Sequence, residues 1–261
     1  MALKFPKSEN RNFTKNLVKR HKLATHLDKY LGKEVEEFEF IYEPKLDDDA
    51  WHPSGHCTPS VTDLYALATE PQEKKDWGTA MLKTFLVGHF WHQLLQKAVV
   101  DLGFAKPDAI ERRGIRGWGE ELPFDVERET DFRPYHWATG AADVAPCSIP
   151  NHGDYVIDFK TMSGHQFKQS SIPDWAAVKY ECQINIYMDF FDIDKGLIVA
   201  IEKDSPHEFK EFEFERNQDL IDAIYDKWKF VSECIDNDDP PTDFDNDNFE
   251  IEQFAKGPIA Q

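Results

Sequence analysis

The segment Tyr155-Val156-Ile157-Asp158-Phe159-Lys160-Thr161 places an acid and a base two residues apart. Side chains alternate along a strand, so Tyr155, Ile157 and Phe159 would enter a core while Val156, Asp158 and Lys160 point the other way. Alone, that pair reads as a surface ion pair worth little. Upstream, Thr139-Gly140-Ala141-Ala142-Asp143-Val144-Ala145 consists of small residues around one carboxylate. Alone, Asp143 reads as an Asx-turn residue at a strand end. If the two segments form a hairpin turning near Pro150, Asp143 falls opposite Asp158. Two carboxylates with nothing bulky beside them are hard oxygen ligands suited to Mg²⁺ or Mn²⁺. Gly140 and the alanines would let a bulky substrate approach.

His92 is the third element, on the apolar face of a long helix with Gly88 one turn earlier. A histidine on such a face is commonly a hydrogen-bonded core residue. A glycine inside a helix, however, costs about 1 kcal/mol relative to alanine and asks for a packing or access reason. His89 and His92 also suggest a two-histidine zinc pair, but no further ligand stands at a zinc-like spacing. Gln183 and Tyr187, four apart, share a helix face and by themselves are ordinary helix surface. Arg112, Arg113 and Arg116 are candidates for gripping phosphate, against the default of a charged surface loop.

These residues need elements to hold them. Apolar residues at Phe13, Leu17, Ala24, Leu27 and Leu31 predict an amphipathic helix stopped by Gly32. Alternation at Phe38, Phe40 and Tyr42 predicts a strand, and residues 44–60 read as loop. The longest helix is expected from about Trp77 to Leu102, with Met81, Phe85, Gly88, His92, Leu95 and Val99 on one face. A loop over 103–123 then carries the three arginines. Strands are expected at 124–130, 139–145 and 155–161, the last two joined by a turn-rich stretch from Pro146 to Gly153. A helix over 175–191, strands at 197–201 and around Phe212 and Phe214, and a final helix with Leu220, Ile224, Tyr225, Trp228 and Val231 complete the chain. This order describes a mixed sheet flanked by helices, of the α/β or α+β type.

Gly88-x-x-x-His92, Gly140-x-x-Asp143, Asp158-x-Lys160 and Gln183-x-x-x-Tyr187, in that order, resemble the motifs of PD-(D/E)XK nucleases. The likeness spans about residues 77–190. It is closest to the RecB-type branch, with the exonucleases that accompany CRISPR adaptation and their phage-encoded relatives. His52-Pro53-Ser54, Cys57 and Tyr65 also look like the N-terminal stretch of the phage members. The resemblance implies an α/β, restriction-endonuclease-like core. It further implies that His92, Asp143, Asp158 and the Phe159 carbonyl bind a divalent cation. Lys160 would then orient the attacking water or stabilise the transition state, and Gln183 and Tyr187 would position the substrate backbone. Glu127 or Glu129 is expected to add a further acid. Many relatives hold an iron–sulfur cluster on one N-terminal and three C-terminal cysteines. Here only Cys234 follows the Gln183 helix, and the arginine that often follows the N-terminal cysteine is absent, so no cluster is expected.

The chain has 261 residues with 30 Lys+Arg against 49 Asp+Glu, a net charge of −19, so any nucleic-acid contact must be confined to a local basic groove. Aromatic residues make up 13%, which excludes wholesale disorder. No membrane span or signal-peptide core is visible, so a cytoplasmic protein with reduced thiols at Cys57, Cys147, Cys182 and Cys234 is expected. Three regions are anticipated: 1–76 packing on the core, a nuclease core over 77–235, and an acidic, mobile tail over 236–261. The expected function is a metal-dependent DNA nuclease, an exonuclease of recombination, replication or repair with partner proteins from those processes. The competing class is a noncatalytic nucleic-acid-binding or assembly protein, against which intact Asp143, Asp158 and Lys160 argue.

Overall fold

A computed structural model describes residues 22–31, 49–70, 79–118, 134–168, 174–203 and 208–259. Among these, five strands form one mixed sheet: β1 (Ile110–Gly117), β2 (Trp137–Ile149), β3 (Gly153–Met162), β4 (Lys195–Glu202) and β5 (Phe209–Glu215). Their spatial order is their chain order, and only β3 and β4 run parallel. That parallel step needs a crossover, and α5 (Gly164–Phe167) and α6 (Asp174–Phe191) lie within it. The chain is thus an α/β fold, as its element order predicts.

The two sheet faces are buried by different helices. Val144, Ile157, Phe159, Leu197 and Val199 pack with Leu23, with Leu27 of α1 (Ala24–Leu31), and with Leu94, Leu95 and Val99 of α4 (Thr79–Asp101). Val156, Ile198, Ala200 and Phe214 instead pack with Ile184, Tyr187 and Met188 of α6. Each large apolar side chain so buried contributes about 1.5–3 kcal/mol. Cys182 and Ile186 of α6 join a third cluster with α3 (Val61–Thr69) and α7 (Gln218–Asn237), where Trp51 and Trp228 stack with rings 6.4 Å apart. The alternation of Asp158 and Lys160 with Ile157 and Phe159 places the charged pair on the sheet face opposite the α4 core.

α1 gains its cap from a distant strand. The backbone N–H groups of Lys22, Leu23 and Ala24 donate to the carboxylate of Glu211 in β5, at 2.7, 2.7 and 2.5 Å. These are N–H groups that a helix start cannot satisfy internally. The N-terminal part of the helix expected from Phe13, the strands expected at 38–42 and 124–130, and Glu127 and Glu129 lie outside the described residues.

Four expectations are corrected. The arginine-bearing loop is strand β1, paired with β2 from Ile110↔Val144 to Gly117↔Trp137. The turn over Pro146–Gly153 is mostly strand: β2 continues to Ile149 past a register shift between Val144 and Cys147, and the chain reverses only at 150–152. Proline is tolerated there because a bulge asks for no ladder hydrogen bond from it. Within the expected loop over 44–60, Pro53 starts the short helix α2 (Pro53–His56), where its missing N–H costs nothing. The acidic tail is docked, not free. Ile251 is buried, the Phe254 carbonyl accepts from Asn217, and the N–H groups of Lys256 and Gly257 donate to buried Glu181 at 2.8 Å.

Candidate active site

The β2–β3 hairpin positions the two acids. Val144 pairs with Ile157, which sets Asp143 level with Asp158 on the neighbouring strand. Both are buried, at 7% and 4% exposure. Asp143 Oδ2 accepts the Phe159 N–H at 2.5 Å, while Oδ1 lies 3.1 Å from His92 Nδ1 and 3.3 Å from Gln96 Nε2. His92 reaches the site from α4, which packs against β2 and β3. A Cβ at Gly88 would meet Thr161 Oγ1 at 3.4 Å, an ordinary contact, so the packing reason expected for that glycine is not found there.

Lys160 sits on Asp158, its Nζ 3.0 Å from Oδ1 and 2.7 Å from Oδ2. It also donates to Gln183 Oε1 at 3.1 Å and lies 5.3 Å from the centre of the Tyr180 ring. Gln183 in turn donates to the Tyr187 hydroxyl at 3.2 Å. Tyr187 closes against β2 where Gly140 leaves room: a Cβ at that position would stand 2.9 Å from Tyr187 Cε1 and 3.1 Å from Pro53 Cδ. The four motif elements therefore meet in one connected network. Gln183 and Tyr187, expected to touch substrate, are themselves buried and bonded in line behind Lys160.

Electrostatics divides the two carboxylates. Burial pushes both up. At Asp143, His92, Lys160 and the Phe159 N–H more than offset it, and the pKa falls below the usual carboxylate value. At Asp158, burial and the neighbouring Asp143 outweigh Lys160, and the pKa rises. Burial pulls Lys160 down, but Asp158 and Asp143 hold it above an ordinary lysine. His92 is likewise raised, with Asp143 overcoming the desolvation that opposes its charge.

A divalent cation fits this donor set. Asp158 Oδ2 is buried and, despite its ionic contact to Lys160, accepts no hydrogen bond. Mg²⁺ binds through one or two carboxylates and keeps several waters, so a hairpin offering two carboxylates suffices. Among the described residues no three His, Cys, Asp or Glu side chains gather as a metal cage, so the zinc pair His89 and His92 has no third ligand there.

The arginines of β1 go to different partners. Arg112 donates to the Ala145 carbonyl at 3.4 Å and stacks on Phe191, while Arg116 pairs with Asp189 and stacks on Tyr225. Arg113 donates to Thr139 Oγ1 at 2.8 Å, beside Gly140. Arg113 is thus attached to the residue next to the Tyr187 contact, whereas Arg116 turns to the α6–α7 side.

Three solved structures align with much of this chain. The crystal structure of SSO0001 aligns over 79% of this chain and 84% of its own, at 15% identity and a TM-score of 0.43. An alkaline exonuclease (LHK-Exo) from Laribacter hongkongensis aligns over 73% and 89%, at 11% identity and 0.41. A phage related exonuclease from Haemophilus somnus 129PT aligns over 70% and 96%, at 16% identity and 0.35. No family model and no curated protein matches the chain. Similarity at this level assigns no residue a role, and the chemistry of the site rests on its own geometry.

Sequence reasoning missed Gln96, Glu111 and Tyr180. Gln96 follows His92 by four residues and Tyr180 precedes Gln183 by three, so both share a helix face with a residue that was found. Glu111 lies in the stretch expected to be loop, and only the β1–β2 register brings it to the site. No helix among the described residues is long and apolar enough to cross a membrane.

Proposed function

We propose that this chain is a nuclease of the PD-(D/E)XK type, RecB-like in its motifs, that hydrolyses phosphodiester bonds in DNA with Mg²⁺ or Mn²⁺, as an exonuclease of recombination, replication or repair. The observation that carries this reading is the buried pair Asp143 and Asp158, with the Lys160 ammonium against Asp158. Asp143, Asp158 and the Phe159 carbonyl would hold the cation, with His92 orienting Asp143 through its Nδ1 contact. When bound, it neutralises charge on the scissile phosphate and lowers the pKa of a coordinated water. The remaining work falls to the protein. Lys160, fixed by Asp158 and Gln183 above the Tyr180 ring, presents a compact positive charge to the oxygen developing charge in the transition state. Gln183 and Tyr187 keep that ammonium in place instead of leaving its orientation to solvent. His92 and the Phe159 N–H hold Asp143 ionised. Arg113 is the arginine proposed to meet a substrate phosphate; Arg112 precedes it and Arg116 lies three residues on in the same strand.

The test is an assay of end-labelled single- and double-stranded DNA with the purified chain in Mg²⁺, Mn²⁺ or EDTA. Stepwise loss of nucleotides from a labelled end with either metal, and none in EDTA, is expected. Binding without any metal-dependent cleavage would favour the noncatalytic DNA-binding class.

A further inference from the structure

Three acids stand level across three neighbouring strands. Ile110 pairs with Val144 and Arg112 with Ala142, so Glu111 of β1 faces Asp143 of β2, which in turn faces Asp158 of β3. Glu111 does not complete the ladder. Its φ of 47° lies in the left-handed region that few residues with a side chain adopt, and backbone of this kind is retained where surrounding structure gains from it. Here the carboxylate reaches α4: Gln96 Nε2 donates to Glu111 Oε1 at 2.5 Å and, with 3.3 Å separation, to Asp143 Oδ1. Gln96 is buried, at 4% exposure, one helical turn beyond His92.

The chemistry of that contact has only one orientation. Ionised carboxylates accept hydrogen bonds and cannot donate, so a glutamine between two of them must aim its –NH₂ group at both. Glu111 therefore decides which end of the Gln96 amide faces Asp143. The amide, His92 and the Phe159 N–H then account for both oxygens of Asp143. We propose that Gln96, oriented by Glu111, is a positioning residue that fixes the Asp143 carboxylate for sharing a divalent cation with Asp158. This rests on the reading that Asp143 and Asp158 hold such a cation. Hydrogen-bond partners behind a metal ligand typically contribute 10–100-fold in metal affinity.

The experiment measures Mn²⁺ binding to the full chain by titration calorimetry without DNA, so that binding is read apart from turnover. The proteins are wild type, Asp143→Asn, Gln96→Leu, Glu111→Leu and Glu111→Gln, with thermal unfolding run on each. Gln96→Leu and Glu111→Leu should weaken Mn²⁺ by about 10-fold or more. Glu111→Gln should recover most of the loss, because its side-chain carbonyl still accepts from Gln96. In the DNA assay the Gln96→Leu defect should shrink as Mn²⁺ is raised, with KM for DNA unmoved. Glu111 is exposed, so its variants test the idea even if Gln96→Leu fails to fold. Folded Gln96→Leu or Glu111→Leu binding Mn²⁺ like wild type would overturn the inference. So would Glu111→Gln losing as much as Glu111→Leu, since the charge and not the acceptor would then matter. Wild type binding no more Mn²⁺ than Asp143→Asn would instead overturn the cation reading, and this inference with it.

Discussion

Gly140→Ala should injure the site without touching any charged group. The added methyl would stand 2.9 Å from Tyr187 Cε1, 3.3 Å from its hydroxyl and 3.1 Å from Pro53 Cδ. Ordinary carbon contacts begin near 3.5 Å, so the ring must retreat by roughly half an ångström or more. Tyr187 is 3% exposed and packed among Ala142, Ile184 and Met188, which leaves little room to absorb the shift. Overpacking of this kind costs about 1–3 kcal/mol, or on the order of 2–12 °C in Tm for a chain of this size. The retreat also stretches the Gln183–Tyr187 bond from 3.2 Å and loosens the support of Lys160. A misplacement of about 1 Å at a reacting group can cost about 100-fold, so cleavage should fall by about 10–100-fold, in kcat more than in KM. Differential scanning fluorimetry and the end-labelled DNA assay read the two effects. A variant that unfolds and cleaves as wild type would refute the close approach of Tyr187 to β2 and its part in holding Lys160.

Glu211→Ala should cost about 2–4 kcal/mol, since it removes a carboxylate accepting three helix-start N–H groups; hydrogen exchange at Leu23 and Ala24 should quicken before that of the sheet. Lys227, 1% exposed, donates to the carbonyls of Cys57 and Pro59. Burial draws its pKa below the ordinary 10.5, against opposing pushes from Cys57, Cys182 and Glu252. The unfolded chain therefore binds more protons between the depressed value and 10.5, so wild-type stability should rise with pH through that window relative to Lys227→Met. Parallel urea midpoints for the two proteins from neutral pH upward would contradict the burial of that ammonium.

The strand of Asp158 and Lys160 is legible because Tyr155, Ile157 and Phe159 alternate with them, and that of Asp143 because small residues surround a single carboxylate. β4 was legible as the apolar run Leu197–Ile201, and α7 through Leu220, Ile224, Trp228 and Val231 on one face. β1 was not. Ile110-Glu111-Arg112-Arg113-Gly114-Ile115-Arg116-Gly117 lies at one end of the strand order and buries only Gly114, so no alternation of apolar and polar residues marks it. With β1 hidden, Glu111 had no partner strand and its contact with Gln96 could not be drawn. The tail was hidden for another reason. Its attachment runs through backbone N–H groups to Glu181 and through Ile251, and hydrogen bonds from the main chain leave no trace in composition. Asp143, Asp158 and Lys160 could be paired from spacing, whereas the order Lys160, Gln183, Tyr187 along one hydrogen-bonded line required coordinates.

Lys160→Ala tests the catalytic assignment most directly. Its ammonium acts on charge that grows in the transition state, so its loss should lower kcat on end-labelled DNA by about 100-fold or more. DNA affinity in Ca²⁺ should change little. The unfolding midpoint should fall, since buried Asp158 loses its ammonium partner. Tyr155, Ile157 and Phe159 still hold β3 in the core, so cleavage is compared at a temperature where both proteins are folded. Equal cleavage by wild type and Lys160→Ala in saturating Mn²⁺ would contradict the assignment of Lys160, and with it the nuclease site built around Asp143 and Asp158.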